Sequence, residues 1–106
     1  MQREHLEAVR IIGEARIGAS PFLIVCDHAS NAVAPEFTSL GLPAAEFERH
    51  IAWDPGAALL VEALSQRLDA PAVLSCFSRL LIDPNRGLDD PTLIMRISDG
   101  AAVPGN

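Results

Sequence analysis

The sequence predicts an α/β domain built on a partly parallel sheet with crossover helices. Three observations carry that expectation. Phe22-Leu23-Ile24-Val25-Cys26 is an all-apolar run of strand length, the pattern of a strand buried on both faces. Ala57 to Leu68 repeats apolar residues at helical spacing, and Ala72 to Phe77 returns to strand-like composition after Pro71. The order strand, helix, strand calls for a right-handed crossover and for parallel pairing of the two strands.

Taken in order, residues 4–12 place Leu6, Val9 and Ile12 about three apart before Gly13, which predicts a short amphipathic helix with a glycine stop. Ser20-Pro21 opens the first strand, and the polar stretch Asp27-His28-Ala29-Ser30-Asn31 follows it at once. After a turn region around Pro35, Gly41 and Pro43, the segment Ala44 to Ala52 reads as helical. A stronger helix begins with Asp54 as N-cap and Pro55 at its first position. In it Ala57, Leu60, Val61, Leu64 and Leu68 share one face, opposite Glu62, Gln66 and Asp69, so the apolar face is expected to pack. Pro71 bars continuation. Ala72 to Phe77 is the second strand, and Arg79-Leu80-Leu81-Ile82 is a third or its extension. From Asp83 onward the chain is turn-rich and reaches Val103-Pro104-Gly105-Asn106 without a closing element.

Composition narrows the function. The 106 residues suffice for one domain, and 49% apolar with 21% charged residues is globular rather than disordered or fibrous. Fourteen acidic residues against eight basic ones, a net charge of −6, oppose binding to nucleic acid or anionic lipid. All eight basic residues are Arg, whose planar donor fork suits carboxylates. Met1-Gln2-Arg3-Glu4-His5-Leu6-Glu7 lacks the apolar run of a secretory signal, and no segment nears the roughly 20 apolar residues of a membrane helix. A cytoplasmic chain without a membrane partner is expected. Cys26 and Cys76 each close an apolar run, show no Cys-x-x-Cys pairing, and read as buried reduced thiols.

Two polar clusters fall at the carboxyl ends of predicted strands, where ligands of open α/β sheets bind. In the first, His28 is placed to act as metal ligand or general base, or as an ordinary loop histidine. Asp27 and Ser30 suit turn and cap chemistry, and Ser30 lacks the glycines of a Gly-x-Ser-x-Gly elbow. His28 and Asn31, three apart, meet one metal if the intervening turn is helical, although an amide is a weaker ligand than a carboxylate. In the second, Asp83-Pro84-Asn85-Arg86 sets an amide beside an arginine fork, a cradle for a substrate carboxylate or a plain proline turn. Arg79 is placed to pair with an acid such as Asp83. Capping accounts for Asp54, the role of His50 stays open, and His5 is a solvated surface residue.

Together three stretches resemble the N-formylglutamate amidohydrolase family: residues 21–31, Arg49-His50-Ile51-Ala52-Trp53-Asp54-Pro55-Gly56-Ala57, and Ser78-Arg79-Leu80-Leu81-Ile82-Asp83-Pro84-Asn85-Arg86. Ser98-Asp99-Gly100 and Val103-Pro104-Gly105-Asn106 add weaker matches. That family is similar in turn to the zinc carboxypeptidase-like hydrolases, with aspartoacylase and succinylglutamate desuccinylase among them. The resemblance implies the N-terminal part of their phosphorylase/hydrolase-like fold. Residues 1–106 would form a single partial domain, a helical extension over 1–19 followed by the family region over 20–106, with the C-terminal half absent.

The activity implied is zinc-assisted hydrolysis of the formyl amide of N-formyl-L-glutamate to formate and L-glutamate, the partner being this small acylated amino acid. By the same resemblance His28 is the first zinc ligand, and Asn31 stands where the wider superfamily often has a Glu ligand. Asn85 and Arg86 match the pair that holds a substrate carboxylate, with Arg79 and Asp83 in support. The remaining histidine ligand and the catalytic acid are expected in the C-terminal half. An exposed sheet edge would favour self-association. The alternative is a shortened family member that binds carboxylates or a protein partner without hydrolysis.

Overall fold

The computed structural model of the chain describes residues 7–106. A three-stranded mixed sheet is formed by β1 (Val9–Ile12), β2 (Ile24–Cys26) and β3 (Ala72–Ser75) in the spatial order β1-β3-β2. The predicted crossover is present: β2 and β3 run parallel, with Ile24 opposite Ala72 and Cys26 opposite Leu74, and the 12-residue helix α1 (Ala57–Leu68) lies between them in sequence. A two-residue hairpin, β4 (Ile97–Ser98) and β5 (Ala101–Ala102), forms a second sheet. No other α-helix occurs among the described residues, and none there is long and apolar enough to cross a membrane. The result is a small α/β domain with one helix.

The N-terminal segment departs from expectation. In place of a helix, Val9-Arg10-Ile11-Ile12 pairs antiparallel with β3, Val9 opposite Ser75 and Ile12 opposite Ala72. Three β-branched residues in four fit a pleated surface better than a helix, and the free edge of β3 decides between the two. Leu6 and His5 lie outside the described residues. The segment from Ala44 is a single 3-10 turn, Ala44–Glu48, and Arg79–Ile82 is a turn rather than a strand. There the backbone is drawn to loops instead of a ladder: Arg79 N–H donates to the Ala52 carbonyl and Leu81 N–H to that of Ser78.

One face of the sheet carries Ile12, Ile24, Cys26, Ala72 and Leu74 and packs on Ala58 and Val61 of α1. Full burial of a leucine such as Leu74 contributes about 2 kcal/mol. The contact ridge of α1 is small, with Val61 and Ser65 its buried residues, and Ser65 Oγ donates to the Ala70 carbonyl at 2.7 Å. The expected stripe is therefore displaced: Leu60, Leu64 and Leu68 stay exposed, since a ridge of Ala, Val and Ser lets the helix approach more closely. Nor is the first strand buried on both faces. It is a sheet edge, Val25 is 64% exposed, and with Val9 and Ile11 it forms an apolar face that nothing covers among the described residues.

A second core gathers the loops. Leu40, Leu42, Ile51, Ala52, Leu80 and Val103 are buried together, with Val33, Phe47 and Trp53 against them. The end of the chain is tied into this core rather than left open. Asn106 Nδ2 donates to the carbonyls of Leu80 and Met95, both at 2.7 Å, and Gly105 N–H donates to the Leu40 carbonyl at 2.8 Å. These contacts fix the loop that carries Asp83, whose N–H donates to the Leu93 carbonyl.

Candidate metal and substrate site

The two polar clusters meet in one place, and a third residue joins them. His28 stands two positions past β2, its backbone held from both sides. Ser75 Oγ of β3 donates to the preceding Asp27 carbonyl at 2.6 Å, and the His28 carbonyl accepts the Asp54 N–H at 2.9 Å. The ring is buried and lies between two carboxylates. Nε2 is 2.7 Å from Asp83 Oδ1, and Nδ1 is 3.3 Å from Asp54 Oδ2. An imidazole set this way donates from Nε2 to the buried Asp83 and turns Nδ1 toward Asp54, which is 55% exposed.

Asp83 has no solvent exposure, yet it is fully partnered. Besides His28 it accepts Arg79 Nη2 at 3.1 Å and the Asn85 N–H at 2.9 Å, and Arg86 Nε lies 3.6 Å from its Oδ2. Burial pushes its carboxyl up, but the His28 hydrogen bond, the Asn85 amide and the charges of His28 and Arg79 outweigh this and hold it below the usual aspartate value. The Asn85 contact is an Asx turn: the proline after Asp83 sets the bend, and the Asp side chain satisfies the amide two residues on. That turn leaves the side chains of Asn85 and Arg86 exposed beside the cluster.

Arg79 links the carboxylates. Its Nη2 is on Asp83 and its Nη1 lies 3.7 Å from Asp54 Oδ1, so one mostly buried guanidinium faces both acids. Asn31 sits elsewhere. Its Nδ2 donates to the Phe47 carbonyl at 2.8 Å, and it lines an open groove with Val33, Thr38 and Phe47. His50 lies 3.1 Å from the exposed Asp99, which also accepts Arg49. Ser30 Oγ accepts the Ala32 N–H, the turn chemistry expected of it. Cys26 and Cys76 are free thiols, half-buried rather than buried, and burial pushes both up.

Asp54 is the residue to which sequence motifs assign a different role. It does not cap α1 through its side chain; the N-cap is Gly56, at φ 87°, where glycine meets no steric penalty. The signal was present in Pro55-Gly56, since a glycine able to adopt positive φ two residues on moves the helix start away from Asp54 and frees its carboxylate. Among the described residues, no group of three or more His, Cys, Asp and Glu side chains is arranged to hold a metal ion.

The family model of N-formylglutamate amidohydrolase matches residues 20–106. The crystal structure of gene product Atu2144 from Agrobacterium tumefaciens is similar, with a TM-score of 0.84 and 34% sequence identity. That likeness covers 93% of this chain and 38% of the other, so the chain spans well under half the length of that solved structure. No curated protein matches it. On the family match over most of its length, the chain belongs to the N-formylglutamate amidohydrolase family.

Proposed function

We propose that the chain carries the substrate-carboxylate cradle and part of the metal site of a hydrolase that cleaves the formyl amide of N-formyl-L-glutamate. In the net reaction the amide C–N bond breaks, water supplies the hydroxyl of formate, and the glutamate amine takes the proton. The observation that carries the reading is Asp83: one buried carboxylate organises His28, Arg79, Asn85 and Arg86 at the carboxyl end of the parallel strand pair. Family membership and the 34% identical solved relative support it.

The residues divide the work. Asp83 holds the His28 Nε2–H, and Nδ1 faces the Asp54 carboxylate on the side that opens to solvent. Zinc, when bound there, would supply Lewis-acid polarisation of the formyl oxygen and lower the pKa of water. A catalytic zinc ordinarily takes three protein ligands, so ligands beyond those described here would complete it. Among the described residues the Nη groups of Arg86 make no ion pair, which suits a bidentate pair with a substrate carboxylate, and Asn85 stands beside it with a side-chain amide. Arg79 acts differently: with its Nη groups turned to Asp83 and Asp54, it positions the acids. The likeness to zinc carboxypeptidase-like hydrolases belongs to this proposal, as do the small-molecule partner and the zinc.

Formate release from N-formyl-L-glutamate, assayed with zinc present beside L-glutamate binding by calorimetry, tests the reading. Binding that requires Arg86, with or without turnover, is the expected result. Failure to bind either compound at millimolar concentration would overturn it.

A further inference from the structure

We infer that the open face of the three-stranded sheet is a dimer interface, on which a second copy of this chain packs face to face about a two-fold axis. Strand alternation builds the face. Ile12, Ile24, Cys26, Ala72 and Leu74 point to α1, so Val9, Ile11, Val25 and Val73 point away from it. The register sets Ile11 and Val25 on either side of Val73, a row of three β-branched side chains across the three strands. Val9, Ile11 and Val25 are exposed, as is Leu23, two residues before Val25. Parallel strand pairs are ordinarily covered on both faces, and here α1 covers one.

Charge and area select the occupant. Arg10, the one charged residue of these three strands, turns its guanidinium to Glu62 of α1 at 2.7 Å, on the covered side. Ser75 Oγ donates to the Asp27 carbonyl, so the hydroxyl of the open side is already satisfied. What remains is an uncharged apolar surface that matches its own copy. A two-fold axis at the centre of the row sets Val73 against its counterpart, an isologous contact that closes at two chains. The area fits as well: the chain exposes 7042 Å², against about 5,700 Å² for a compact monomer of its mass. The excess is on the order of the roughly 800 Å² that each partner buries in a standard interface. The net charge of −6 lies off this face, so repulsion between copies acts at longer range, where salt screens it. The competing stripe on α1, Leu60, Leu64 and Leu68, is flanked by the charges of Glu62 and Arg67.

The test is sedimentation equilibrium of the chain over a range of micromolar concentrations, at low and at high salt, beside the variants Val25→Glu and Leu60→Glu. Both positions are exposed, and Trp53 fluorescence checks that each variant folds. The methyl resonances of Ile11, Val25 and Val73, followed on dilution of the unaltered chain, give a readout that needs no variant. Expected are a mass that rises to twice that of one chain and no further, and association that high salt leaves unchanged or strengthens. The three methyl groups should shift on dilution, Val25→Glu should weaken association at least tenfold, and Leu60→Glu should leave it unchanged. A monomer at every concentration would overturn the interface, as would open-ended growth, which a two-fold contact forbids. A dimer that high salt disperses, or that Leu60→Glu disrupts while the three methyl groups stay unmoved, would place the contact elsewhere and overturn it equally.

Discussion

Replacing Asp83 by alanine removes the acceptor on which three side chains and a backbone amide converge. The carboxylate has no exposure and accepts bonds of 2.7, 3.1 and 2.9 Å from His28, Arg79 and Asn85. Deleting one partner of a buried ion pair costs about 3–5 kcal/mol, because the charge left behind is neither paired nor hydrated. Here the mostly buried Arg79 guanidinium, with no Nε partner among the described residues, would keep only its longer 3.7 Å contact with the half-exposed Asp54. Asp83→Asn keeps shape and one acceptor oxygen and is expected to cost about half as much. Urea denaturation followed by Trp53, the sole tryptophan, gives both values from midpoint and slope. The pH dependence has a definite sign. The folded value lies below the ordinary aspartate 3.8, so this contribution is fully present above the unfolded value and is lost as pH falls through the folded one. The native chain should lose stability more steeply below about pH 4 than Asp83→Asn does. A loss under about 1 kcal/mol in Asp83→Ala, in the range of an exposed pair, would refute the reasoning.

Other expectations follow from packing. A Cβ at Gly105 would lie 2.7 Å from Leu40 Cα and 3.0 Å from its carbonyl carbon and oxygen, all backbone, so Gly105→Ala should cost about 1–3 kcal/mol in the same denaturation assay. An unchanged midpoint would show that the terminal segment does not anchor the loop core. Val25→Glu, on the uncovered sheet face, should leave stability within about 0.5 kcal/mol and reduce concentration-dependent association in sedimentation velocity. Association that persists undiminished would place the self-contact elsewhere.

The parallel pair and its crossover were legible because they are local patterns: an apolar run, a helical repeat and a second run. The nature of β1 was not. Val9-Arg10-Ile11-Ile12 carries both a three-residue spacing and β-branched composition, and only the partner strand decides between them. The displaced face of α1 has a similar cause, since the sheet selects the small ridge at Ala58, Val61 and Ser65 over the larger leucines, and spacing alone ranks leucine first. In the site, His28, Asp83, Asn85 and Arg86 followed from polar residues placed just after apolar strands or turns. Asp54 did not, because its role depends on a glycine taking positive φ two residues later. The Arg79 bridge between two acids depends on tertiary contacts alone.

The most direct measurement is calorimetric titration of N-formyl-L-glutamate into the chain in the presence of zinc, repeated with Arg86→Lys and with the diamide analogue that lacks free carboxylates. Lysine keeps the charge but loses the bidentate fork, so the expected result is saturable 1:1 binding that weakens about tenfold or more in Arg86→Lys and vanishes with the diamide. Affinity that is equal for Arg86→Lys and for the diamide would contradict a carboxylate cradle at Asn85 and Arg86.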